Sequence, residues 1–258
     1  MEFSYILIGI VTGIISGLFG IGGGTIIVPF MLSIGFSSHH AIAISVFQMM
    51  FSSVFGSFIN YKKKNLNIND GILVGLGGLV GASFSGLILT SVSDITLTAA
   101  FLCLSIVSLL KYALNVKNVV NHTQRNELQK RLILVGTGAI TGVFAISLGI
   151  GGGLLMAPIL GYMLGFDSKK VVPISLFFVI FSSLSGTISF ISSGVINKDI
   201  VNAGITVGIS SMIGVVIGIK IIEKMQVKAH RKILIGVYIL SIILTFIGLL
   251  RKLEIISF

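Results

Sequence analysis

The stretch GIGGGTIIVP at residues 20–29 returns as GIGGGLLMAP at residues 149–158. Both copies place three consecutive glycines ahead of a proline in strongly apolar surroundings. Glycine costs about 1 kcal/mol relative to alanine inside a helix, and proline lacks the backbone donor that a helix interior needs. We therefore expect each copy to split a helix into two halves. The predicted breaks are Gly22, Gly23 and Gly24 with Pro29, and Gly151, Gly152 and Gly153 with Pro158.

The composition around these motifs indicates a membrane protein. Of the 258 residues, 54% are hydrophobic and only 10% are charged, whereas soluble domains are about 25% charged. A membrane-spanning helix needs about 20 apolar residues, so we expect an all-α integral membrane protein with the lipid bilayer around it. The net charge of +10 lies in short connectors, where orientation signals belong, and we do not expect nucleic acid as a partner. Five stretches lack Asp, Glu, Lys and Arg altogether: 3–61, 71–93, 132–166, 171–197 and 200–219.

The chain is an internal repeat. An offset of 129 residues superimposes the glycine motifs, and an offset of 130 aligns 44–57 with 174–187 at seven identities in fourteen positions. We therefore expect one transmembrane domain, 1–258, made of two homologous halves, as in many transporters. Repeat one covers about 1–115, a cytoplasmic linker about 116–131, and repeat two about 132–258. Each half has a long glycine-containing segment followed by three ordinary spans, at about 41–61, 71–92 and 95–114, and at about 171–192, 200–220 and 233–250.

The 18 Lys and Arg residues discriminate between a kink and a reversal at the glycines. If each glycine segment crosses the membrane once, eight simple spans form parallel repeats and the basic residues divide 11 to 7. If each segment turns back as a hairpin, the division is 15 to 3, which is the asymmetry expected of cytoplasmic loops. We therefore favour inverted repeats with both termini outside, and with 62–70, 111–131, 167–170 and 220–232 in the cytoplasm. Whether the half-helices are re-entrant or full spans stays open.

The broken helices favour an anionic ligand. A half-helix that begins at a glycine turn presents unpaired N–H groups and the positive end of its dipole. Irregular backbone at membrane depth survives only where it is buried in protein or lines a cavity, although glycines that serve only close helix packing remain the alternative. Neutral hydroxyl and amide groups complete the predicted lining. The candidate substrate-binding residues are Gly22, Gly23, Gly24, Thr25, Ser45, Gln48, Ser52, Gly151, Gly152, Gly153, Ser175 and Ser182.

No catalytic or metal-binding motif is visible in the sequence. We therefore expect no enzyme activity, no metal and no cofactor. The functional classes that stay open are a carrier of small anions, an anion channel and a membrane scaffold that transports nothing.

The segments GIISGLFGIGGGTIIVPFML (13–32) and GVFAISLGIGGGLLMAPIL (142–160) resemble the duplicated signature of the TauE/SafE family of sulfite and sulfonate exporters. The resemblance covers essentially the whole chain. It implies a multi-pass protein of the inner, cytoplasmic membrane that exports sulfite or organosulfonates, with uptake in some members. The motif carries over to Gly20, Gly22–Gly24 and Pro29, and to Gly149, Gly151–Gly153 and Pro158.

The second copy of the signature departs from the first. Ile146 stands where the first copy has Gly17, and Leu154 stands where it has Thr25. Whether both turns contact substrate equally therefore stays open. The expected function is export or facilitated passage of small sulfur-containing anions, with an anion channel or an importer of a related anion as alternatives. The particular anion, the coupling ion and the oligomeric state, a homo-oligomer included, are not specified by the sequence.

Overall fold

A computed structural model describes residues 2–113, 126–166 and 168–255, and the regular structure in these ranges is helical. The first half contains α1 (Glu2–Phe19), α2 (Gly24–Ser33), α3 (Ser38–Lys62), α4 (Ile68–Ala82), α5 (Ser85–Ser91) and α6 (Asp94–Ala113). The second half contains α7 (Glu127–Ser147), α8 (Gly153–Leu164), α9 (Ser168–Ser192), α10 (Lys198–Lys224) and α11 (Val227–Lys252). Within the described chain, seven helical segments are long and apolar enough to cross a membrane, with α4 and α5 taken as one. The predicted all-α membrane class is confirmed.

Both glycine motifs interrupt their helices. The chain leaves α1 at Phe19 and enters α2 at Gly24, and it leaves α7 at Ser147 and enters α8 at Gly153. Gly22 has a φ of 69° and Gly151 a φ of 81°. These are left-handed conformations that side chains disfavour and glycine adopts freely. The turns therefore require glycine for their backbone geometry.

The prolines do not contribute to the breaks as predicted. Pro29 lies inside α2 and Pro158 lies inside α8, and both helices continue past them. That part of the prediction was wrong because a glycine turn alone ends the preceding helix. Each proline still withholds its N–H from the carbonyl four residues earlier, which belongs to Thr25 or Leu154. The first turn of each half-helix therefore keeps an acceptor without its usual donor.

Two predicted boundaries differ from the structure. Helix α7 begins at Glu127, inside the predicted linker, and the Asn126 backbone N–H donates to the Gln129 side chain at 3.3 Å, as in a helix cap. The predicted single span 71–92 is instead the pair α4 and α5, joined at Ser83 and Phe84. Residues 114–125, which include 116–125 of the predicted linker, lie outside the described residues, as do Met1, Asp167 and 256–258.

The two halves are packed into each other rather than side by side. Helix α1 lies against α10, and α7 lies against α4, so the first helix of each half contacts the fourth helix of the other. Glycines at these contacts let the backbones touch: Gly13 meets the backbone of Ser211, and Gly138 meets that of Val74. Small residues favour close approach of this kind in membranes. The helices α3 and α9 contact each other between these pairs.

Candidate functional site

The two glycine turns meet each other in the interior of the protein. The backbone N–H of Gly153 donates to the carbonyl of Gly20 at 3.2 Å. A side chain on Gly24 would overlap the carbonyl oxygen of Gly149, and one on Gly22 would come within 3.3 Å of Gly151 Cα. In these contacts, successive residues of the first turn face residues of the second turn in reverse order: Gly20 with Gly153, Gly22 with Gly151 and Gly24 with Gly149. The turns therefore pass each other in opposite directions.

Each turn is anchored by one serine of the opposite half. Ser45 on α3 donates from Oγ to the carbonyl of Gly149 at 2.8 Å, and Ser175 on α9 donates to the carbonyl of Gly20 at 2.6 Å. Both serines are fully buried. Their single hydroxyl hydrogens are thus committed to the turns, and their contribution is to position the turns. Neither hydroxyl is free to donate to a ligand in this state, which differs from the prediction that both serines bind substrate directly.

The next pair of serines lies one to two helical turns further along. Ser52 donates to the carbonyl of Met49 at 3.2 Å, and Ser182 donates to that of Phe178 at 3.2 Å. These bonds within a helix are the ordinary way to satisfy a serine in an apolar environment. Ser52 also lies 3.5 Å from the Ser16 hydroxyl on α1. Ser52 and Ser182 therefore have their donors in use as well.

Gln48 is one of several buried polar side chains that have no hydrogen-bond partner within the described structure, and it lies at the first glycine turn. Its side chain is completely buried, and neither Oε1 nor Nε2 has a hydrogen-bond partner within the described structure. A Cβ on Gly23 would lie only 2.6 Å from Gln48 Oε1, so the carboxamide lies directly against the first glycine turn. The hydroxyl of Thr25 is also buried without a partner there. Each such group costs about 1–3 kcal/mol when left unpaired.

Backbone donors lie beside these side chains. Among the described residues, no acceptor is found for the backbone N–H groups of Gly22, Gly23 and Thr25, whereas that of Gly24 turns back to the Gly22 carbonyl. They lie at the N-terminus of α2, where the helix dipole favours negative charge. The carboxamide N–H₂ of Gln48, the Thr25 hydroxyl and these amides form one group of neutral donors. Such a group suits a small anion.

The second turn lacks the polar part of this arrangement. At the repeat-matched positions, Phe178 replaces Gln48 and Leu154 replaces Thr25. The Phe178 ring lies 2.5 Å from where a Cβ of Gly152 would be, so it packs directly on the second turn. Both Phe178 and Leu154 are buried. The side-chain donors are therefore confined to the first turn, whereas among the described residues the backbone N–H groups of Gly151, Gly152 and Leu154 also have no backbone acceptor.

A cavity extends toward this centre from the surface of the protein. It has a volume of about 480 Å³, and it lies between the ends of α3 and α10 and the start of α9. Its lining includes the buried residues Gly17, Asn60 and Val172 and the exposed Lys64. Apart from Gly17, which belongs to the glycine signature, these positions had no motif to mark them in sequence. As to metals, no group of three His, Cys, Asp or Glu side chains that could hold an ion occurs among the described residues.

Helices that break and cross in the interior, and a buried set of unpaired donors at the crossing, define a multi-pass membrane transporter. The chain belongs to the TauE/SafE family, because the model of the family described as "Sulfite exporter TauE/SafE" matches residues 5–245.

Several curated proteins resemble the chain along most of its length. It is similar to "Probable membrane transporter protein MJ0441" of Methanocaldococcus jannaschii, at 29% identity over 88% of this chain and 86% of the relative. It is also similar to "Probable membrane transporter protein YdhB" of Bacillus subtilis, at 30% identity over 83% of this chain and 88% of the relative. No solved structure gave a significant match. These names identify membrane transporters without a substrate.

Proposed function

We propose that the protein is a carrier or facilitator that moves small sulfur-containing anions, such as sulfite or organosulfonates, outward across the cytoplasmic membrane. The observation that carries the proposal is the buried carboxamide of Gln48, which has no partner within the described structure and lies against Gly23. Buried polar groups without partners are rare and call for a reason. A transient ligand supplies that reason, since it would satisfy Gln48 only while it is bound.

The chemistry of the donors fits a ligand that must bind and then leave. Gly22, Gly23 and Thr25 offer backbone N–H groups, and Gln48 and Thr25 offer side-chain donors. None of these groups carries a full charge, so they attract an anion without holding it as a buried lysine would. In this proposal Gly24 and Gly151–Gly153 shape the crossing, and Ser45 and Ser175 hold the turns. The family description, and not the donor geometry, supplies sulfur as the element.

The proposed transport cycle rests on inverted repeats. Gly9 and Gly17 of α1 face Val207 and Val215 of α10, so α1 and α10 run in the same direction. Gly138 and Gly142 of α7 likewise face Val74 and Gly78 of α4. Together with the opposed glycine turns, these contacts favour two halves of opposite orientation, which is the arrangement that supports alternating access around a fixed site. The 15 to 3 division of basic residues favours the ends of α3 and α10 as cytoplasmic.

A thermal-shift experiment tests the proposed site. Purified protein is titrated with sulfite, sulfate, thiosulfate, taurine and sulfoacetate, and at least one of these five compounds is expected to raise Tm in a saturable way. The variant Gln48→Met, of similar size, is expected to lose the shift, because the carboxamide is gone. Phe178→Met, at the repeat-matched and equally buried position, is the control, and it is expected to keep the shift even if its starting Tm falls. An undiminished shift in Gln48→Met would contradict the site.

Flux measurements separate the proposed carrier from its rivals. In proteoliposomes a carrier shows saturable uptake and counterflow of labelled anion, whereas a channel gives ohmic currents without counterflow. Export and import are distinguished by the direction of net movement in cells loaded with the anion that stabilises the protein. A scaffold would show neither flux nor stabilisation, and that result would overturn the proposal.

A further inference from the structure

The cavity near the ends of α3 and α10 reaches toward the glycine crossing. Its lining includes Gly17, three residues before Gly20 in the chain. The lining also includes Val172, whose backbone oxygen would lie 2.9 Å from a Cβ on Gly20. Gly20 is the residue that accepts hydrogen bonds from Ser175 and Gly153. The cavity and the crossing therefore share a wall.

The mouth of this cavity carries an excess of positive charge. Lys64 and Lys170 line it, and Glu223 is the one acidic side chain among the described residues of its lining. Glu223 is held by Lys63 through two short contacts, at 2.6 and 2.7 Å, so its charge is locally compensated. Lys62 is different: its Nζ lies 4.6 Å from the centroid of the Phe58 ring, and the residue does not line the cavity. Lys64 and Lys62 are thus neighbouring cations, of which one lines the cavity.

The opposite ends of the helices are tied together. Lys252 at the end of α11 contacts Asp94 at the start of α6 at 2.8 Å, and it donates to the hydroxyls of Ser38 and Thr98. Ser38 and Thr98 are each 1% exposed. His39 contacts the carbonyl of Leu89 at 2.8 Å on the same side. This cluster joins α3, α5, α6 and α11, and it contrasts with the cavity at the other ends.

We propose that the cavity is a vestibule that collects anions from the side of Lys64 and delivers them to the glycine crossing, with Lys64 as the residue that raises their local concentration. The inference rests on the proposed function and extends it to the route of access. A cleft lined by one sign of charge within a low-dielectric surrounding raises the local concentration of the opposite ion. Lys64 determines the apparent affinity for substrate, and the buried donors at Gln48 bind it. In the proposed orientation this vestibule faces the cytoplasm.

The variant Lys64→Asn tests the vestibule, with Lys62→Gln as the matched control. Lys64 has a φ of 57°, and asparagine tolerates that left-handed backbone, so the variant removes the charge and retains the local fold. Each variant removes one positive charge from the same face of the protein. Initial rates of anion flux are measured in right-side-out and inside-out membrane vesicles over a range of substrate concentrations.

Lys64→Asn is expected to raise KM about threefold to tenfold in one vesicle orientation only, with an unchanged maximal rate. Lys62→Gln is expected to change KM by less than about twofold, because its charge lies outside the cavity and is screened. The difference between the variants is expected to shrink at high ionic strength. The maximal thermal shift with substrate is expected to stay that of the wild type, since the buried donors are intact.

The outcomes separate the two proposals. If the wild type shows saturable flux and Lys64→Asn has the same KM as Lys62→Gln in both orientations, the vestibule is wrong and the transport function stands. If Lys64→Asn lowers only the maximal rate, Lys64 acts in a later step, and the vestibule is again wrong. If the wild type moves none of the five compounds, the function itself fails, and the vestibule fails with it.

Discussion

Gln48 and Phe178 occupy matched positions 130 residues apart, and they have opposite effects on stability at the two glycine turns. Phe178 fills the space over the second turn with a ring, which stabilises the crossing by burial. Gln48 puts unpaired polar atoms at the first turn, which lowers stability. A protein that needed only a packed crossing would gain by an apolar residue at both positions. In the function proposed above, this difference is stability given up for ligand binding.

The crossing leaves no room for a side chain at Gly24. A Cβ there would overlap the Gly149 carbonyl oxygen and would lie 2.6 Å from Met49 Cε. We expect Gly24→Ala to lower the free energy of unfolding by about 2 kcal/mol or more, since backbone and side chain must both move. Gly136 on α7 is the control, because a Cβ there meets nothing within 4 Å. Gly136→Ala is expected to stabilise the protein by up to about 1 kcal/mol.

Thermal unfolding in detergent checks this pair of variants. The apparent Tm of Gly24→Ala should fall and that of Gly136→Ala should stay or rise. Equal values for the two variants would mean that the turns do not touch as described.

At this scale the sequence predicts the glycines well and the hydroxyls poorly. The helix break at Gly22 follows from the local backbone preference of glycine, which needs no knowledge of the fold. The role of Ser45 depends on the Gly149 carbonyl, 104 residues away, and local spacing cannot reveal that partner. The asymmetry of Gln48 and Phe178 was readable from the repeat alignment itself.

At the scale of elements, the two halves differ at their fourth helix, which is α4 in the first half and α10 in the second. Helix α10 runs unbroken for 27 residues, whereas its counterpart bends between α4 and α5. Ser185 and Ser189 on α9 donate to the carbonyls of Leu79 and Ser83 at 2.7 Å each. Ser189 also accepts from the N–H of Gly86 at 2.9 Å. These hydroxyls satisfy backbone groups that the bend leaves without helical partners. Because the hydroxyls belong to another helix, the bend could not be predicted from the apolar stretch 71–92 itself.

The cluster at Lys252 is expected to hold α3, α6 and α11 together. Lys252 is 13% exposed, and it donates to Asp94, Ser38 and Thr98. Lys252→Met leaves these three groups without their shared donor, and we expect a loss of about 1–3 kcal/mol in the free energy of unfolding. Lys63→Met is the matched control, since the Lys63–Glu223 pair is more exposed, at 35% and 37%. Surface pairs of that kind contribute about 0–1 kcal/mol.

Apparent Tm values of the two lysine variants, measured side by side at low salt, check this prediction. A loss in Lys63→Met as large as that in Lys252→Met would contradict a special role for the cluster.

At the scale of the whole molecule, the two halves cannot be separated without exposing buried helix surfaces. The first helix of each half packs against the fourth helix of the other, and a carbonyl of each glycine turn accepts a hydrogen bond from a serine of the other half. The sequence predicts that two halves exist, because repetition is visible in the residues. It does not predict their exchange of helices, since the glycines of α1 and α10 would suit many packing partners equally well.

The orientation of the halves has a direct test in single-cysteine variants. Cys103 is the one cysteine in the chain, and it is replaced by serine to give a background without thiols. Lys62→Cys and Lys198→Cys are then introduced separately, both at exposed positions. With hairpins at the glycines, the two positions lie on opposite sides of the membrane, because α3 ends at one and α10 begins at the other. An impermeant maleimide should label Lys198→Cys in intact cells and Lys62→Cys only after permeabilisation. Eight simple spans would instead put both positions on one side of the membrane. Labelling of both variants in intact cells, or of neither, would therefore exclude inverted halves. It would also exclude a transport cycle that depends on the two opposed turns.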